Sequence, residues 1–376
     1  MTTQFTVNDV CCVALELSKS TWVCAFAPPE SGRASVHRMR AGDVDRLISV
    51  LEAGRARAMR DTSGSLDIVL CYEVGYDGFW LARLLIARGI RTIVFDPASF
   101  LRPRRGRPAK TDRLDAEEMT RILRTWLSGD HAVATAVRIP SVEEEDAKRI
   151  ERERKNLVEE RTRIVGRIKG LLALHGIWLN SKRIGKGLLG RLDTMMTGDG
   201  RPLPPFLRRD IERMIRHYEF VCDQIAEVEA DRHTALNDET SSFPQRDKVR
   251  RLTGLGAVGV TTATILVAEV FHRSFETRRH LASFIGLAPS PYASGDVNRD
   301  RGTRRGRSSR DRRLSSLLGS GFATSQTASS RVGGRFGKLG MRGRKVGIVA
   351  LARKLAIALW RFVEQGVVPE GATLKA

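Results

Sequence analysis

Short apolar runs alternate with segments of helical spacing through the first third of the chain. The apolar runs predict strands at residues 10–17, 21–26, 34–38, 66–73 and 91–95, and the periodic segments predict helices at 44–51, 78–88 and 111–127. Thr111 is a suitable cap for the last of these helices. Three strands followed by alternating helices and strands indicate an α/β layer fold with a mixed sheet over residues 1–130.

The charged region from about residue 140 to 245 predicts two long helices. The first helix begins at a capping box formed by Ser141 and Glu144. Its apolar positions recur every seven residues, at Ile150, Leu157, Ile164 and Leu171. The second helix carries a coiled-coil seam at Ile211, Met214, Tyr218, Val221, Ile225 and Val228. Such a seam suits either a helical hairpin that closes on itself or an arm that dimerises, and the sequence leaves both open.

Residues 246–368 predict a mostly helical region that encloses a very basic loop. The region opens with a glycine-punctuated pair of apolar helices and closes with an amphipathic helix at 345–365. The Gly-Leu-Gly step at 254–256 resembles the turn of a helix-hairpin-helix, whose backbone N–H groups can bind phosphate, although a tight helix–helix turn fits equally well. The tail at 369–376 is expected to be disordered.

Composition narrows the class of partner. The 376 residues include 64 Lys and Arg against 43 Asp and Glu, which gives a net charge of +21 at pH 7. This excess favours a polyanion, either nucleic acid or an acidic membrane. The most apolar stretch, 257–270, contains three threonines and is too short to span a bilayer, so nucleic acid is the expected partner and a membrane is not.

The cysteines and histidines favour a reducing compartment and no structural zinc. None of the five cysteines belongs to a CxxC pair, and no two of the seven histidines have zinc-ligand spacing. The N-terminus shows no secretory signal pattern. We therefore expect buried, reduced thiols in a cytoplasmic protein.

Four carboxylates in the first region form a candidate metal site. Glu16 lies near the end of the first predicted strand, Glu73 ends the fourth, and Asp112 and Asp115 share one face at a helix start. The element order matches an RNase H-like fold, which brings these places together, and Mg²⁺ prefers carboxylate oxygens in two-metal phosphodiester chemistry. Individually, the residues could be solvated strand ends or complements to the helix dipole. The set favours a Mg²⁺ site, because an unpaired carboxylate at the end of an apolar strand is costly.

Ser294 is the centre of a second candidate site. The Ser294-Gly295 step predicts an exposed hydroxyl in a turn, and arginines that could stabilise a pentavalent phosphate follow it. These are Arg299, Arg301, Arg304, Arg305, Arg307, Arg310, Arg312 and Arg313. The serine could equally be a bystander in a DNA-binding loop, since no histidine lies nearby in sequence to activate it.

A second basic set precedes the predicted acidic helix in a Pro/Gly-rich loop, where it could hold a phosphate backbone near the metals. Its members are Arg102, Arg104, Arg105, Arg107 and Lys110. Few aromatic residues interleave with the basic runs, so stacking on single-stranded bases is not the expected mode of binding.

These motifs resemble the DEDD-type insertion-sequence transposases of insertion-sequence family one-hundred-and-ten, described as bridge-RNA-guided serine recombinases. The N-terminal likeness rests on the segments at 16–19 (ELSK), 72–75 (YEVG) and 110–116 (KTDRLDA). The C-terminal likeness rests on the segments at 252–256 (LTGLG), 284–289 (FIGLAP), 294–295 (SG) and 352–356 (ARKLA). The ordered combination is more specific than any one of these segments.

The resemblance implies a RuvC-like domain that holds Mg²⁺ through the four carboxylates, followed by a coiled-coil region and a C-terminal transposase domain. Ser294 would attack a DNA phosphate to form a covalent phosphoserine intermediate, and strand exchange would pass through a Holliday-type junction. In a dimer or tetramer, the acidic site of one protomer would meet the serine of another. The resemblance also implies two nucleic-acid partners, namely a structured bridge RNA and the target and donor DNA with which that RNA would pair. It further implies a bacterial, nucleoid-associated protein.

Two positions depart from the family pattern: Glu16 stands where the family usually has Asp, and Thr253 where it usually has Pro. The extra methylene of Glu16 would move its carboxylate by about 1 Å, and a misplacement of that size can cost ~100-fold in rate. Two other functions remain open. One is a RuvC-like junction-resolving nuclease that uses water as its nucleophile, and the other is a catalytically impaired nucleic-acid-binding protein.

Overall fold

The computed structural model describes residues 9–29, 33–60, 65–100, 111–179, 184–238, 243–256, 258–287, 289–294, 297–303 and 341–375. Within 289–294, 297–303 and the first residues of the last helix, the description covers the backbone. The chain forms two compact units, Met1–Pro140 and Ser141–Ala376. Among the described residues, none of the helices combines the length and the hydropathy of a membrane-spanning segment.

The first unit is built on a six-stranded mixed sheet. Its strands are β1 (Val10–Leu17), β2 (Thr21–Ala27), β3 (Ser35–Arg40), β4 (Asp67–Glu73), β5 (Arg91–Phe95) and β6 (Ala136–Val137). Its α-helices are α1 (Val44–Ala58), α2 (Trp80–Ala87) and α3 (Asp112–Leu127). Across the order β3-β2-β1-β4-β5-β6, β4 is parallel to β1 and β5, and the other pairs are antiparallel. The predicted mixed α/β fold is confirmed.

The central strand β1 is continuously apolar from Val10 to Leu15 because helices cover both of its faces. Val13 and Leu15 belong to the core cluster that α1 and α2 complete, whereas Cys12 and Ala14 belong to the cluster that α3 completes. A strand buried on both faces requires an unbroken apolar run rather than alternation. The carboxyl end of β1 emerges from this core at Glu16, which is half-buried.

In the second unit, α4 (Val142–Ala173) and α6 (Pro205–Asn237) pack together as a helical hairpin, with the short helix α5 (Lys186–Leu189) in the connection. The predicted capping box starts α4: the Ser141 hydroxyl accepts from the Glu144 N–H at 3.1 Å, and the Ser141 N–H donates to the Glu144 carboxylate at 3.0 Å. The seam of α6 is buried, and Ile211 packs in one cluster with Ile168 of α4. The hairpin closes on itself, as the first of the two interpretations predicted.

A buried ion pair joins the two helices of this hairpin. The Arg232 guanidinium donates to the Glu151 carboxylate at 2.8 Å and to the Thr261 hydroxyl at 2.9 Å, and both charged side chains are buried. Removing one partner of such a pair leaves an uncompensated charge in the core.

We expect Arg232→Met to lower the free energy of unfolding by about 3–5 kcal/mol, because it leaves Glu151 buried without its cation. The double variant with Glu151→Leu should recover most of that loss, since the remaining charge is then removed as well. Urea denaturation of the full chain, followed by circular dichroism, measures both. A single variant as stable as the unmodified chain would contradict the importance of the pair.

The rest of the second unit surrounds a separate apolar cluster. Its elements are α7 (Arg246–Thr253), α8 (Val260–Leu266), α9 (Arg278–Phe284), β7 (Pro289–Ser294), β8 (Val297–Thr303) and α10 (Met341–Gln365). Helix α8 continues directly into a π-helical turn over Val267–Phe271. Helix α10 inserts Ala352, Ala356 and Leu359 into the cluster, as its predicted amphipathic pattern requires.

The prediction of a disordered tail is wrong. The segment after α10 returns to the turn between α7 and α8, where Leu374 forms a β-bridge with Leu255. The Gly256 N–H donates to the Thr373 carbonyl at 2.8 Å, and the Lys375 N–H donates to the Gly254 carbonyl at 2.7 Å. These backbone hydrogen bonds fix the tail although its sequence carries little apolar periodicity.

Candidate active site

Two of the four predicted carboxylates lie side by side at one edge of the sheet. Strands β1 and β4 are parallel neighbours, and their paired residues end with Leu15 opposite Tyr72. Glu16 and Glu73 are the next residue on each strand. Because side chains alternate along a strand, both carboxylates belong to the face opposite Leu15 and Tyr72, which is the face that α3 covers.

The other two predicted carboxylates, Asp112 and Asp115, lie at the start of α3. Ala116 packs against Val23, and Val23 is the cross-strand neighbour of Glu16. Asp112 lies one helical turn before Ala116, and Asp115 directly precedes it. The start of α3, which bears Asp112 and Asp115, therefore lies on the same face of the sheet as Glu16 and near the carboxyl end of β1. The Thr111 hydroxyl caps the helix, as predicted, by accepting from the Leu114 N–H at 3.4 Å.

The carboxylates share this edge without already converging on one point. Among the described residues, no group of three or more His, Cys, Asp or Glu side chains is arranged to hold a metal ion. The donor set still fits Mg²⁺ chemically, because all four groups supply hard oxygen ligands and Mg²⁺ is commonly bound through carboxylates and retained waters. Binding a cation here requires the side chains to turn toward a common centre.

Buried thiols lie on β1, β2 and β4. Burial raises the pKa of Cys11 to about 11 and that of Cys24 to about 12. Burial, with Cys12 and Glu73 nearby, also raises the pKa of Cys71 well above its usual value. These thiols are neutral near pH 7 and behave as small apolar groups. The prediction of buried free thiols is confirmed for four of the five cysteines, and Cys222 is half-buried.

Sequence reasoning missed two residues at the same edge. Tyr76 follows Glu73 in the loop after β4, and its side chain is 85% exposed. Lys19 follows Glu16 in the turn after β1, and its Nζ lies 5.2 Å from the centroid of the Tyr76 ring. Lys19 lies three residues after Glu16, and Tyr76 lies three residues after Glu73. This shared spacing is the sequence feature that could have predicted that the two side chains lie close together.

An arginine-lined cavity beside α3 was also missed. The cavity has a volume of about 390 Å³ and includes four cationic side chains, those of Arg33, Arg113, Arg121 and Arg124. Two of them are held by acidic neighbours on the helix: Arg113 pairs with Glu117 at 2.9 Å and Arg121 with Glu118 at 2.7 Å. Because such pairs on an exposed helix contribute little, these arginines can exchange a carboxylate for a phosphate partner at low cost.

Ser294 lies at the end of a strand rather than in an isolated turn. It is the last residue of β7, paired with Val297 of β8, and the backbone of Arg299 lies opposite Tyr292 on the same hairpin. Part of the predicted basic loop, including Arg301, is therefore strand β8. The predicted residues Arg102, Arg104, Arg105, Arg107, Lys110, Arg304, Arg305, Arg307, Arg310, Arg312 and Arg313 lie outside the described residues.

The Gly-Leu-Gly turn does not offer the N–H groups that a helix-hairpin-helix would use for phosphate. The N–H of Gly254 donates to the Arg250 carbonyl, that of Leu255 to the Leu252 carbonyl at 3.1 Å, and that of Gly256 to the tail. A tight helix–helix turn, closed by the C-terminal tail, describes this segment better than the helix-hairpin-helix-like element that we predicted.

Comparison with known proteins decides the family. The sequence profile described as "Transposase IS116/IS110/IS902 family" matches residues 249–331. A protein of Sinorhizobium fredii (strain NBRC 101917 / NGR234), y4rJ, which is named as a transposase, is 36% identical over 374 residues, covering 96% of this chain and 94% of the relative. This chain belongs to the IS116/IS110/IS902 family of transposases.

More distant relatives carry names of the same kind. The transposase for insertion sequence element IS1328 of Yersinia enterocolitica is 28% identical, over 61% of this chain and 66% of its own length. The transposase for insertion sequence element IS1111A of Coxiella burnetii is 25% identical, over 53% of this chain and 52% of its own length. The predicted membership of an insertion-sequence transposase family is confirmed.

Proposed function

We propose that this transposase cuts and rejoins DNA in a Mg²⁺-dependent reaction that uses the four carboxylates of the first unit and Ser294 of the second. The observation that carries the proposal is the placement of Glu16 and Glu73 on adjacent parallel strands, beneath the helix start that bears Asp112 and Asp115. The element order of three strands, helix, strand, helix, strand, helix supports an RNase H-like, RuvC-like interpretation of this unit.

In the proposed reaction, the Ser294 hydroxyl oxygen forms a bond to a DNA phosphorus, and the bond from that phosphorus to the leaving strand oxygen breaks. The leaving oxygen takes up the equivalent of the proton that the hydroxyl loses, so the intermediate is a phosphoserine ester. Mg²⁺, when bound by the four carboxylates, supplies charge stabilisation to the attacking and leaving oxygens. The second attack, by a DNA hydroxyl, reverses the same bond changes and releases Ser294.

The arginine-lined cavity supports a nucleic-acid path beside the acidic edge. Its lining follows α3 away from Asp112 and Asp115, and its arginines are suited to bind the phosphates of a nucleic-acid backbone. We also propose that the acidic edge of one protomer meets Ser294 of another in a dimer or tetramer, and that a structured bridge RNA pairs with the target and donor DNA. Pairing of that kind places sequence recognition in the RNA, so the protein needs mainly backbone contacts.

Metal removal tests the proposed chemistry. With purified chain, element DNA and element RNA, we expect EDTA to lower strand cleavage by about 100-fold or more and excess Mg²⁺ to restore it, because the developing charge loses several kcal/mol of stabilisation. DNA binding measured by anisotropy in EDTA serves as the control and should persist, since the basic side chains carry it. Full cleavage in the presence of the chelator would overturn the proposal.

A further inference from the structure

Tyr76 is an exposed ring on a well-anchored loop. The neighbouring Tyr72 is fully buried, and its hydroxyl donates to the Gly78 carbonyl at 2.9 Å. The Gly78 N–H donates in turn to the Gly75 carbonyl at 3.2 Å, and the Val74 N–H donates to β5 at 2.9 Å. These bonds close the loop on both sides of Tyr76 and hold its ring away from the core. Packing does not explain a tyrosine that is 85% exposed here.

Lys19 is held beside that ring by an equally short turn. The Ser18 hydroxyl donates to the Thr21 carbonyl at 2.6 Å and accepts from the Thr21 N–H at 3.1 Å, so the turn between β1 and β2 is fixed at its base. The Lys19 ammonium then lies 5.2 Å from the Tyr76 centroid, within the range of a cation–π contact. One aromatic face and one cation are therefore presented together.

We propose that Tyr76 and Lys19 form a nucleotide-binding platform for an unpaired segment of DNA or RNA next to the reacting phosphate. The ring stacks on an unpaired base, and the ammonium binds a flanking phosphate. A base still paired in a duplex is already covered by its neighbours, so a protruding ring of this kind favours a base that has left the stack. The platform rests on the proposed function, because its position is defined by Glu16 and Glu73.

The fold supplies this platform although the sequence argued against stacking. That expectation considered aromatic residues within the basic runs, and Tyr76 lies in none of them. Parallel pairing of β1 with β4 brings the loop that follows each strand to one edge of the sheet, which places a lysine from one loop against a tyrosine from the other.

The platform is tested by titrating the full chain with fluorescently labelled single-stranded DNA, with single-stranded RNA of the same sequence and with duplex DNA, each at several salt concentrations. Tyr76→Ala should weaken single-strand binding about tenfold and leave duplex binding unchanged, whereas Tyr76→Phe and Tyr76→Trp should stay within about twofold of the unmodified chain. Lys19→Gln should reduce the slope of log affinity against log salt by about 0.7 for the single strand, and Tyr76→Ala should leave that slope unchanged.

Arg88→Gln is the matched control, because this exposed cation belongs to the same unit but lies at the other end of α2.

Unchanged single-strand binding by Tyr76→Ala would overturn the platform. The platform would also be overturned if Tyr76→Phe weakened single-strand binding as much as Tyr76→Ala does. That result would show that the Tyr76 hydroxyl, rather than the ring, makes the contact. Melting temperatures equal to that of the unmodified chain exclude misfolding as the cause. Glu73→Gln separates the two proposals. If this variant still cleaves DNA, the proposed function is wrong. The platform is tested separately, because single-strand binding is measured without any cleavage.

Discussion

Replacing Glu73 with Gln should lower the rate of DNA strand transfer by a factor on the order of 100 to 1000. Glutamine keeps the size of the side chain and one carbonyl oxygen, but it removes the charge that binds a divalent cation at the end of β4. The loss corresponds to several kcal/mol of charge stabilisation that a bound metal contributes in the transition state. Asp115→Asn, on α3, should cause a loss of similar size because the proposal places it in the same ligand set.

Excision and circular junction products of the element, amplified from cells that express each variant, measure this effect. Glu52→Gln is the matched control, since Glu52 is an exposed glutamate of the same unit that lies on α1. The amount of excision and junction products from Glu52→Gln should equal the amount from the unmodified chain. Normal product levels from Glu73→Gln would remove the acidic edge from the mechanism and favour the interpretation of an unrelated active site.

Replacing Ser294 with Ala should abolish rejoined products, with a loss of at least about 1000-fold, because the proposed intermediate has no other attachment point. The backbone of β7 should be unaffected, since alanine suits the same strand position. Ser290→Ala offers a matched control four residues earlier on the same strand and should recombine normally.

The kind of residual activity separates the competing functions. A nuclease that uses water as its nucleophile would still cut DNA when Ser294 is alanine, and it would release free ends at the unmodified rate. A protein that binds nucleic acid without chemistry would give no cut strands with either serine or alanine. Cutting that depends on Ser294 fits the proposed transposase and neither of these alternatives.

The sequence predicted the acidic edge because it depends on local patterns. The run from Val10 to Leu15 is unbroken and apolar, so it specified a central strand, and Glu16 and Glu73 lie where two such runs end. The capping box at Ser141 and the Thr111 cap are equally local, since each needs residues three positions apart. The seam of α6 predicted its buried face, and the structure showed which helix covers that face.

Features that depend on distant segments escaped prediction. The tail pairs with Leu255 through backbone groups, which leave no side-chain pattern. Lys19 and Tyr76 meet because two strands are neighbours in space, and the arginine cavity joins Arg33, which precedes β3, to side chains of α3. Helix α1 extends to Ala58, beyond its predicted end, and its Gly54 packs so closely on the ring of Phe26 that a Cβ there would come within 2.8 Å of it.

The most direct test of serine chemistry is the search for a covalent protein–DNA adduct. The full chain would be incubated with Mg²⁺, the element RNA and end-labelled element DNA, resolved on a denaturing gel, and digested for peptide mass spectrometry. We expect a slowly migrating labelled band with the nucleotide attached to Ser294, and no such band from Ser294→Ala. Cleaved DNA with free ends and no adduct, or an adduct attached to another residue, would contradict it.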